Sequence, residues 1–422
     1  MISKLIILSV IILGVIAVAQ LVRVNELTAK QSGRREGDIP HRDNIFNANM
    51  MLAFMIFFYG AFIWLMLDYG YTGMGPAAST HGEETDWLLT INFWIIIAVF
   101  FLTNTLLFVF AWKYVKKPGV RAFYYPHNNK LEMIWTVIPA GVLAVIIILG
   151  LRSWNEITSE ASPEAENIEL FSYQFGWTAR YSGMNNVLGE FDYKLTTSDN
   201  PYAIKTRANI ETSLEKMKVG APGEEGIEMI ENKLNDESLV MSQKDRKDLH
   251  DDLGRKERMA RLLNQMALTY NDSIDELAND DVILGDSLIL LVGQNYNMAM
   301  RSKDVIHSAY FPHFRAQINT VPGMTTYFKM QPIYTTSEMK EIMDDENFEY
   351  VLMCNKICGG SHYKMKMSVK VLGPEDYLQW QKSKTTYDGS PWLDYSDSER
   401  AQKEAELLER YKEISASVKK NN

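Results

Sequence analysis

Apolar residues are not spread evenly along this chain. They crowd into four runs, 5–22, 50–67, 87–112 and 131–151. Each has about the 17–25 residues that a helix needs to cross a bilayer core of about 30 Å. Lipid offers no partner to a backbone N–H, so such runs predict membrane helices. The loops set the orientation. Arg23, Lys30, Arg34, Arg35 and Arg42 follow the first run, and Lys113, Lys116, Lys117, Arg121 and Lys130 follow the third. Residues 69–86 carry Glu83, Glu84 and Asp86 with no Lys or Arg. Cytoplasmic loops are the positive ones, which places both basic loops inside the cell and everything after Leu151 outside it. In a bacterium that is the periplasm. The first run also has marks of a signal peptide, with Lys4 before it and Ala17-Val18-Ala19 as a cleavage site. A retained helix is the preferred reading, because cleavage would leave the basic loop on the wrong side.

Beyond residue 166 the period changes. Residues 167–181 alternate and are rich in aromatics, which predicts strand, and the runs 287–292, 296–301, 325–331, 350–354 and 366–372 behave alike. Turn residues separate them, including Pro322-Gly323 and Gly359-Gly360. Several short strands with turn signals predict a β-sandwich or Greek-key barrel. Residues 201–281 interrupt this pattern with helix-forming runs at 227–235 and 242–268, and are read as a charged helical insertion. A solvated face is its default meaning and a docking surface for partner subunits the second. Residues 375–382 and 396–418 are also helical in pattern, with Glu and Lys four apart.

Composition sharpens this division. Residues 1–151 hold 11 Lys/Arg and 9 Asp/Glu, while residues 152–422 hold 32 and 44. So acidic an external half has no basic face for phosphates, and nucleic-acid binding is not expected. The chain has only two cysteines, too few for a disulfide framework.

Both cysteines lie in one segment, Cys354-Asn-Lys-Ile-Cys358-Gly-Gly-Ser-His362-Tyr-Lys-Met365. Thiolate, imidazole and thioether are soft or borderline ligands that together select copper over magnesium or calcium. Two thiolates this close can bridge two metal ions. Other readings are a disulfide, which would leave His362 and Met365 without purpose, structural zinc, for which methionine is a poor ligand, and plain buried thiols. A copper site needs a second imidazole. His307 stands in Asp304-Val-Ile-His-Ser308 after an alternating strand, a loop position suited to a ligand. His313 is the weaker candidate, and His250 lies in the charged insertion.

Asp-Val-Ile-His-Ser followed by Cys-x3-Cys-x3-His-x2-Met resembles subunit II of the haem–copper cytochrome c oxidases. Leu131-Glu-Met-Ile-Trp-Thr-Val-Ile-Pro139 is similar to the start of that family's last membrane helix, and Gln174-Phe-Gly-Trp177 to its aromatic stretch. The likeness spans about 87–200 and 283–383. It implies a cupredoxin-like Greek-key β-barrel holding a dinuclear copper centre, CuA, which takes electrons from cytochrome c and passes them to haem in subunit I. By position, Cys354 and Cys358 would bridge the coppers, with His307 and His362 as terminal imidazoles. Met365 and the Lys356 backbone carbonyl would be weak outer ligands. The resemblance makes Glu132 the mouth of a proton path. It makes Phe175, where the family usually has Trp, or Trp177 the point where electrons arrive. It implies oxidase subunit I, other oxidase subunits, a cytochrome c or cytochrome c domain, and membrane lipid as partners, within an oxygen-reducing, proton-pumping complex of a bacterial inner membrane.

The expected organisation is thus an α+β membrane protein. Residues 1–86 form two extra membrane helices, 87–152 a membrane hairpin, and 153–200 with 282–383 the copper domain, interrupted by the insertion 201–281 and followed by a helical tail, 384–422. The chain also departs from the family. Lys356 replaces a Glu whose side chain helps bind Mg at the subunit I border, so that Mg site is not expected. Gln317, Asn319 and Met324 stand where charged residues are common, which implies a rewired contact with subunit I. The extra segments suggest added partners in a larger respiratory supercomplex. Two other classes share parts of the pattern. A copper-free quinol oxidase subunit II lacks the two cysteines, and a copper-bearing nitrous- or nitric-oxide reductase component needs further histidines or haem motifs, while this chain has seven His in all.

Overall fold

The computed structural model describes residues 2–31, 40–70 and 74–419. It divides into two units. One comprises Met1–Thr72 and Ile91–Ala140, the other Gly73–Thr90 and Gly141–Asn422.

The first unit is helical. It holds α1 (Ile2–Gln31), α2 (His41–Tyr69), and the greater part of α3 (Thr80–Lys113), with the start of α4 (Asn129–Thr158). Among the described residues, α2, α3 and α4 are long and apolar enough to cross a membrane. The fourth expected span lies in α1, where the side chains of residues 1–11 fall outside the described residues. Aromatic rings pack α2 on α3, with Phe54 5.7 Å from Phe108 and Phe62 4.9 Å from Phe100. Polar bonds fix the register: the Tyr59 hydroxyl donates to the Phe101 carbonyl at 3.1 Å, and the Trp112 indole N–H to Asn49 Oδ1 at 3.1 Å. Such bonds position helices in lipid, where apolar packing alone supplies no hydrophobic drive.

The second unit is built on two five-stranded sheets that share one core. Its strands are β1 (Glu166–Tyr173), β2 (Gly176–Tyr181), the short β3 (Gly220–Ala221) and β4 (Glu224–Glu225), β5 (Val282–Leu284), β6 (Ser287–Leu291), β7 (Tyr296–Ser302), β8 (His307–Phe311), β9 (Ala316–Thr320), β10 (Thr326–Met330), β11 (Tyr350–Cys354) and β12 (Lys366–Leu372). The sheets run β10-β7-β1-β2-β5 and β6-β12-β11-β8-β9. Leu170, Trp177, Ala179, Tyr181, Met298 and Met300 from the first face Leu288, Leu290, Ala309, Phe311, Tyr350 and Val369 from the second in a single buried cluster. This is the cupredoxin-like sandwich expected, with two parallel pairs, β1 with β7 and β12 with β6, among antiparallel ones. The run read as one strand, 167–181, is a hairpin: Ser172 pairs with Trp177 and Tyr173 with Gly176 across a two-residue turn. Gly176 at its foot leaves room for the Tyr173 ring, whose hydroxyl would lie 2.7 Å from a Cβ there. The core-facing residues pass from even positions (Ile168, Leu170) to odd ones (Trp177, Ala179, Tyr181) across the turn, a change of phase that the aromatics Phe171, Tyr173 and Phe175 hide.

Residues 74–80 strap the sandwich. The Ala78 N–H donates to the His313 carbonyl at 2.8 Å, the Ser79 hydroxyl to the Phe314 carbonyl at 2.7 Å, and Arg315 pairs with Asp86 at 2.9 Å. The insertion folds as α5 (Arg207–Val219), α6 (Ile227–Asn235), α7 (Gln243–Thr269) and the short α8 (Asp275–Asn279), around Leu195, Ile210, Leu263 and Tyr270. Thr206 and Ser242 cap α5 and α7, accepting from the N–H groups of Asn209 and Asp245. A buried charge network ties both ends of the insertion to the sheet, Asp281 at one end through Arg180 and the Tyr202 carbonyl at the other, which accepts from Arg301 at 3.1 Å. Arg180 donates to Glu169 and, at 2.8 Å, to Asp281, while Arg301 donates to the other oxygen of Glu169. Burial raises the Glu169 carboxyl, but Arg180 and Arg301 outweigh it and hold it below its ordinary value. The chain closes with α9 (Thr336–Met343), α10 (Pro374–Lys382) and α11 (Asp397–Lys419). The last two cover β6 through Tyr377, Leu378 and Tyr411.

Candidate metal centre

The β11–β12 connection carries the chemistry. Its base is closed by the Cys354 N–H donating to the Met365 carbonyl at 3.0 Å. A short helical turn at His362–Lys364 folds it back on itself. Strand register explains how His307 arrives. Cys354 lies opposite Ala309 on β8, and His307 is two residues along β8, hence on the same face of the sheet. The Asn355 N–H then donates to the Ser308 carbonyl at 3.1 Å, pinning the loop to that strand.

The donor atoms converge. Cys354 Sγ is 3.9 Å from Cys358 Sγ, 3.9 Å from His307 Nδ1 and 3.2 Å from the Lys356 carbonyl oxygen. Cys358 Sγ is 3.5 Å from His362 Nδ1 and 3.8 Å from Met365 Sδ. The sulfurs are well beyond the bond length of about 2.05 Å of a disulfide, and both thiols are free. Burial, then the neighbouring Cys354 thiol, pushes the Cys358 thiol up to about 11. A cation between the sulfurs reverses that preference and holds them as thiolates. All six sequence-derived donors therefore meet in one place. The Lys356 and Ile357 side chains point to solvent, Ile357 at 88% exposure, so Lys356 offers only its carbonyl to the cluster.

Surrounding residues hold these donors still. Fully buried His307 bonds through Nε2 to Asp304 Oδ1 at 2.8 Å. Asp304 Oδ2 in turn accepts the Gln174 N–H at 2.7 Å. Burial raises the Asp304 carboxyl, but the bonds from His307, Gln174 and Val305 hold it below its ordinary value. The Gln174 side chain donates to the Cys358 carbonyl. Gly359 has φ +142°, and a Cβ there would stand 2.9 Å from both Gln174 Nε2 and Phe175 Cζ. Only glycine lets this loop lie against the β1–β2 turn. Phe175, 37% exposed, thus lies between solvent and the cysteine loop, whereas Trp177 is buried with its ring 6.3 Å from His307.

Asp304 and Gln174 were visible in the quoted motifs but carried no assigned role. Asp304, three residues before a ligand-type histidine, is the signal that points to one. His313 is not brought to the cluster: it lies beyond the far end of β8, edge-to-face with Phe348 at 4.9 Å. His250 sits on α7, within the insertion. Glu132 belongs to the first unit, in the first turn of α4, where its carboxylate accepts the Asn128 N–H at 3.2 Å. Gln317 bonds to Asn355 and to Ser308, both at 3.2 Å, beside the loop.

Comparison with known proteins bears on the chain as a whole. The family described as cytochrome c oxidase subunit II, transmembrane domain, matches residues 68–154. The alternative cytochrome c oxidase subunit 2 of Bradyrhizobium diazoefficiens is 26% identical over 317 residues, covering 74% of this chain and 84% of its own length. The chain is a relative of cytochrome c oxidase subunit II. The subunit 2 of Cereibacter sphaeroides is 22% identical, over 74% of this chain and 79% of its own. The solved periplasmic domain of subunit II of cytochrome oxidase from Bradyrhizobium japonicum matches 52% of this chain and 94% of its own at 13% identity, with a TM-score of 0.25. That score is too low to carry an argument, so the sandwich of this subunit II relative rests on its own strand order. Its relatives are subunits of a complex that reduces oxygen, and the membrane helices here fit that setting.

Proposed function

We propose that this chain is the electron-receiving subunit of a haem–copper oxidase, with a dinuclear copper centre in the β11–β12 loop. The carrying observation is the convergence of His307, Cys354, Cys358, His362, Met365 and the Lys356 carbonyl, together with the His307–Cys354–Cys358 group whose ligand atoms lie within 4.8 Å of one another. Cys354 and Cys358 would bridge, His307 and His362 would complete each ion, and Met365 and the carbonyl would bind weakly from outside. Copper bound there supplies one-electron chemistry. The protein's part is to keep the donors in place. Two strands and a pinned loop fix both sulfurs, and the Asp304 bond fixes the ring plane of His307. A cage that does not move on electron transfer keeps that transfer fast.

In this reading the donor is a cytochrome c, met outside the membrane at the face where Phe175 is exposed. Trp177 lines the inner side against His307. Electrons leave toward haem in subunit I, and the complex couples oxygen reduction to proton pumping. Glu132 would face the proton path from the basic, cytoplasmic side of a bacterial inner membrane, with the sandwich in the periplasm. Lys356 brings an ammonium where Mg would need a carboxylate, so no Mg role is assigned to it.

The test is electron paramagnetic resonance of the full chain loaded with copper in detergent. A signal of one electron shared over two coppers, lost in Cys358→Ser and His307→Ala while both variants still insert in the membrane, supports the proposal. A mononuclear signal, or an unchanged signal in either variant, overturns it.

A further inference from the structure

A cleft of about 360 Å³ opens in the helical unit, on the side of the basic loops. His41 and Asn44 of α2 line one wall, and Lys116, Lys117 and Arg121 from the connection after α3 line the other. His41 and the Lys116–Arg121 cations come from segments more than seventy residues apart, and among the described residues no acidic side chain lines the cleft. None of these four cationic or imidazole side chains makes an ion pair among the described residues. The α2 N-terminus opens toward the same place with Pro40 as its N-cap, which provides no side-chain acceptor for the first-turn N–H groups. A single anion of phosphate type suits this arrangement.

Depth identifies the source of that anion. The cleft lies where α2 begins and α3 ends. Trp112 and Tyr114, and the exposed Phe123, Tyr124 and Tyr125 just beyond, form an aromatic girdle of the kind that sits at headgroup level. Below it, Phe46 on α2 and Phe110 on α3 are exposed apolar surface. The Trp112–Asn49 bond holds α2 and α3 together one turn inward, so the cleft is preformed. A positive pocket above and an apolar flank below match an anionic phospholipid, phosphate in the cleft and acyl chains along α2 and α3.

We infer that this cleft is a stoichiometric site for an anionic phospholipid headgroup. One wall, His41 and Asn44, precedes residues 68–154 matched by the subunit II family, while Lys116, Lys117 and Arg121 lie within them, so the cleft joins the extra N-terminal part of this chain to the matched region. It stands independently of the copper assignment.

The probe is the full chain in nanodiscs of mixed phosphatidylglycerol and phosphatidylcholine, transferred to mild detergent and weighed by native mass spectrometry. The wild type should keep one phosphatidylglycerol in preference to phosphatidylcholine. Lys117→Gln with Arg121→Gln should weaken that retention on the order of thirty-fold, since each surface cation contributes about a fivefold factor. Lys130→Gln, in the first turn of α4 and outside the cleft, should leave it unchanged. Millimolar inorganic phosphate without lipid should bind weakly and should not displace the lipid. Equal retention of both lipids, full retention in the double variant, loss in Lys130→Gln, or displacement by free phosphate would each overturn the inference.

Discussion

Glu166 opens β1 with its carboxylate held among tyrosines, and its replacement by glutamine should stabilise the protein in alkali. The Tyr377 hydroxyl donates to it, at 3.2 Å from Oε1. The charge is felt at Tyr181, Tyr296, Tyr377 and Tyr411, each of whose hydroxyls it pushes up after burial. Burial lifts the carboxyl from 4.5 to about 7, against the smaller opposing pulls of the Tyr377 bond and Arg410. The folded chain therefore holds a proton that the unfolded chain has already released between about pH 4.5 and pH 7. Stability falls with rising pH across that window and the loss is complete above it. The gap of some 2.5 pH units corresponds to roughly 3 kcal/mol. Glutamine keeps an acceptor for Tyr377 and carries no charge. Glu166→Gln should thus match the wild type near pH 4.5 and exceed it by up to roughly 3 kcal/mol at pH 8, which raises the melting temperature by on the order of 6–12 °C. Asp281, lifted by burial to about 7, bends both curves alike and cancels in the difference. Melting of the full chain in detergent, followed by tryptophan fluorescence from pH 4.5 to 8.5, decides the matter. A variant no more stable than wild type at pH 8, or a difference independent of pH, would refute the reasoning.

Two further outcomes concern the metal centre. Asp304→Asn keeps the size of the side chain but removes the carboxylate that orients His307, and copper affinity should drop about 10–100-fold; competition against a chelator of known strength measures this, and unchanged affinity contradicts the assigned role. Gly359→Ala forces a Cβ to within 2.9 Å of Gln174 and Phe175 at φ +142°, a strain of roughly 1–3 kcal/mol. The variant should retain less copper per chain after dialysis, whereas full occupancy with a wild-type spectrum would show that the loop can yield there.

The parts of this structure that obey local rules could be read directly. The helices α2, α3 and α4 followed from unbroken apolar length, α6 and α7 from their helix-forming runs, and α10 and α11 from Glu and Lys four apart. The spacing Cys354, Cys358, His362, Met365 is local, and so was its chemistry. What periodicity cannot carry is register. That His307, and not His313, meets the sulfurs depends on Cys354 facing Ala309 across the β8–β11 pair, a contact between residues 45 apart in the chain. The β1–β2 turn was hidden for a related reason: Gln174 and Phe175 look like any strand residues until Tyr173 folds over Gly176. The strap at 74–80 has no apolar period at all, and its small residues matter because backbone groups must approach the sandwich closely. Asp304 and Gln174 act through bonds to other side chains and peptides, which no single-residue pattern records.

The connection from Cys354 to Met365 leaves and rejoins the sheet at a single hydrogen-bonded pair. Its two ends are therefore already neighbours, and the strands that carry them need not shift when its contents change. Every proposed donor except His307 travels within that one segment. A descendant could acquire, retune or discard the centre by exchanging a short cassette while the surrounding architecture is inherited intact.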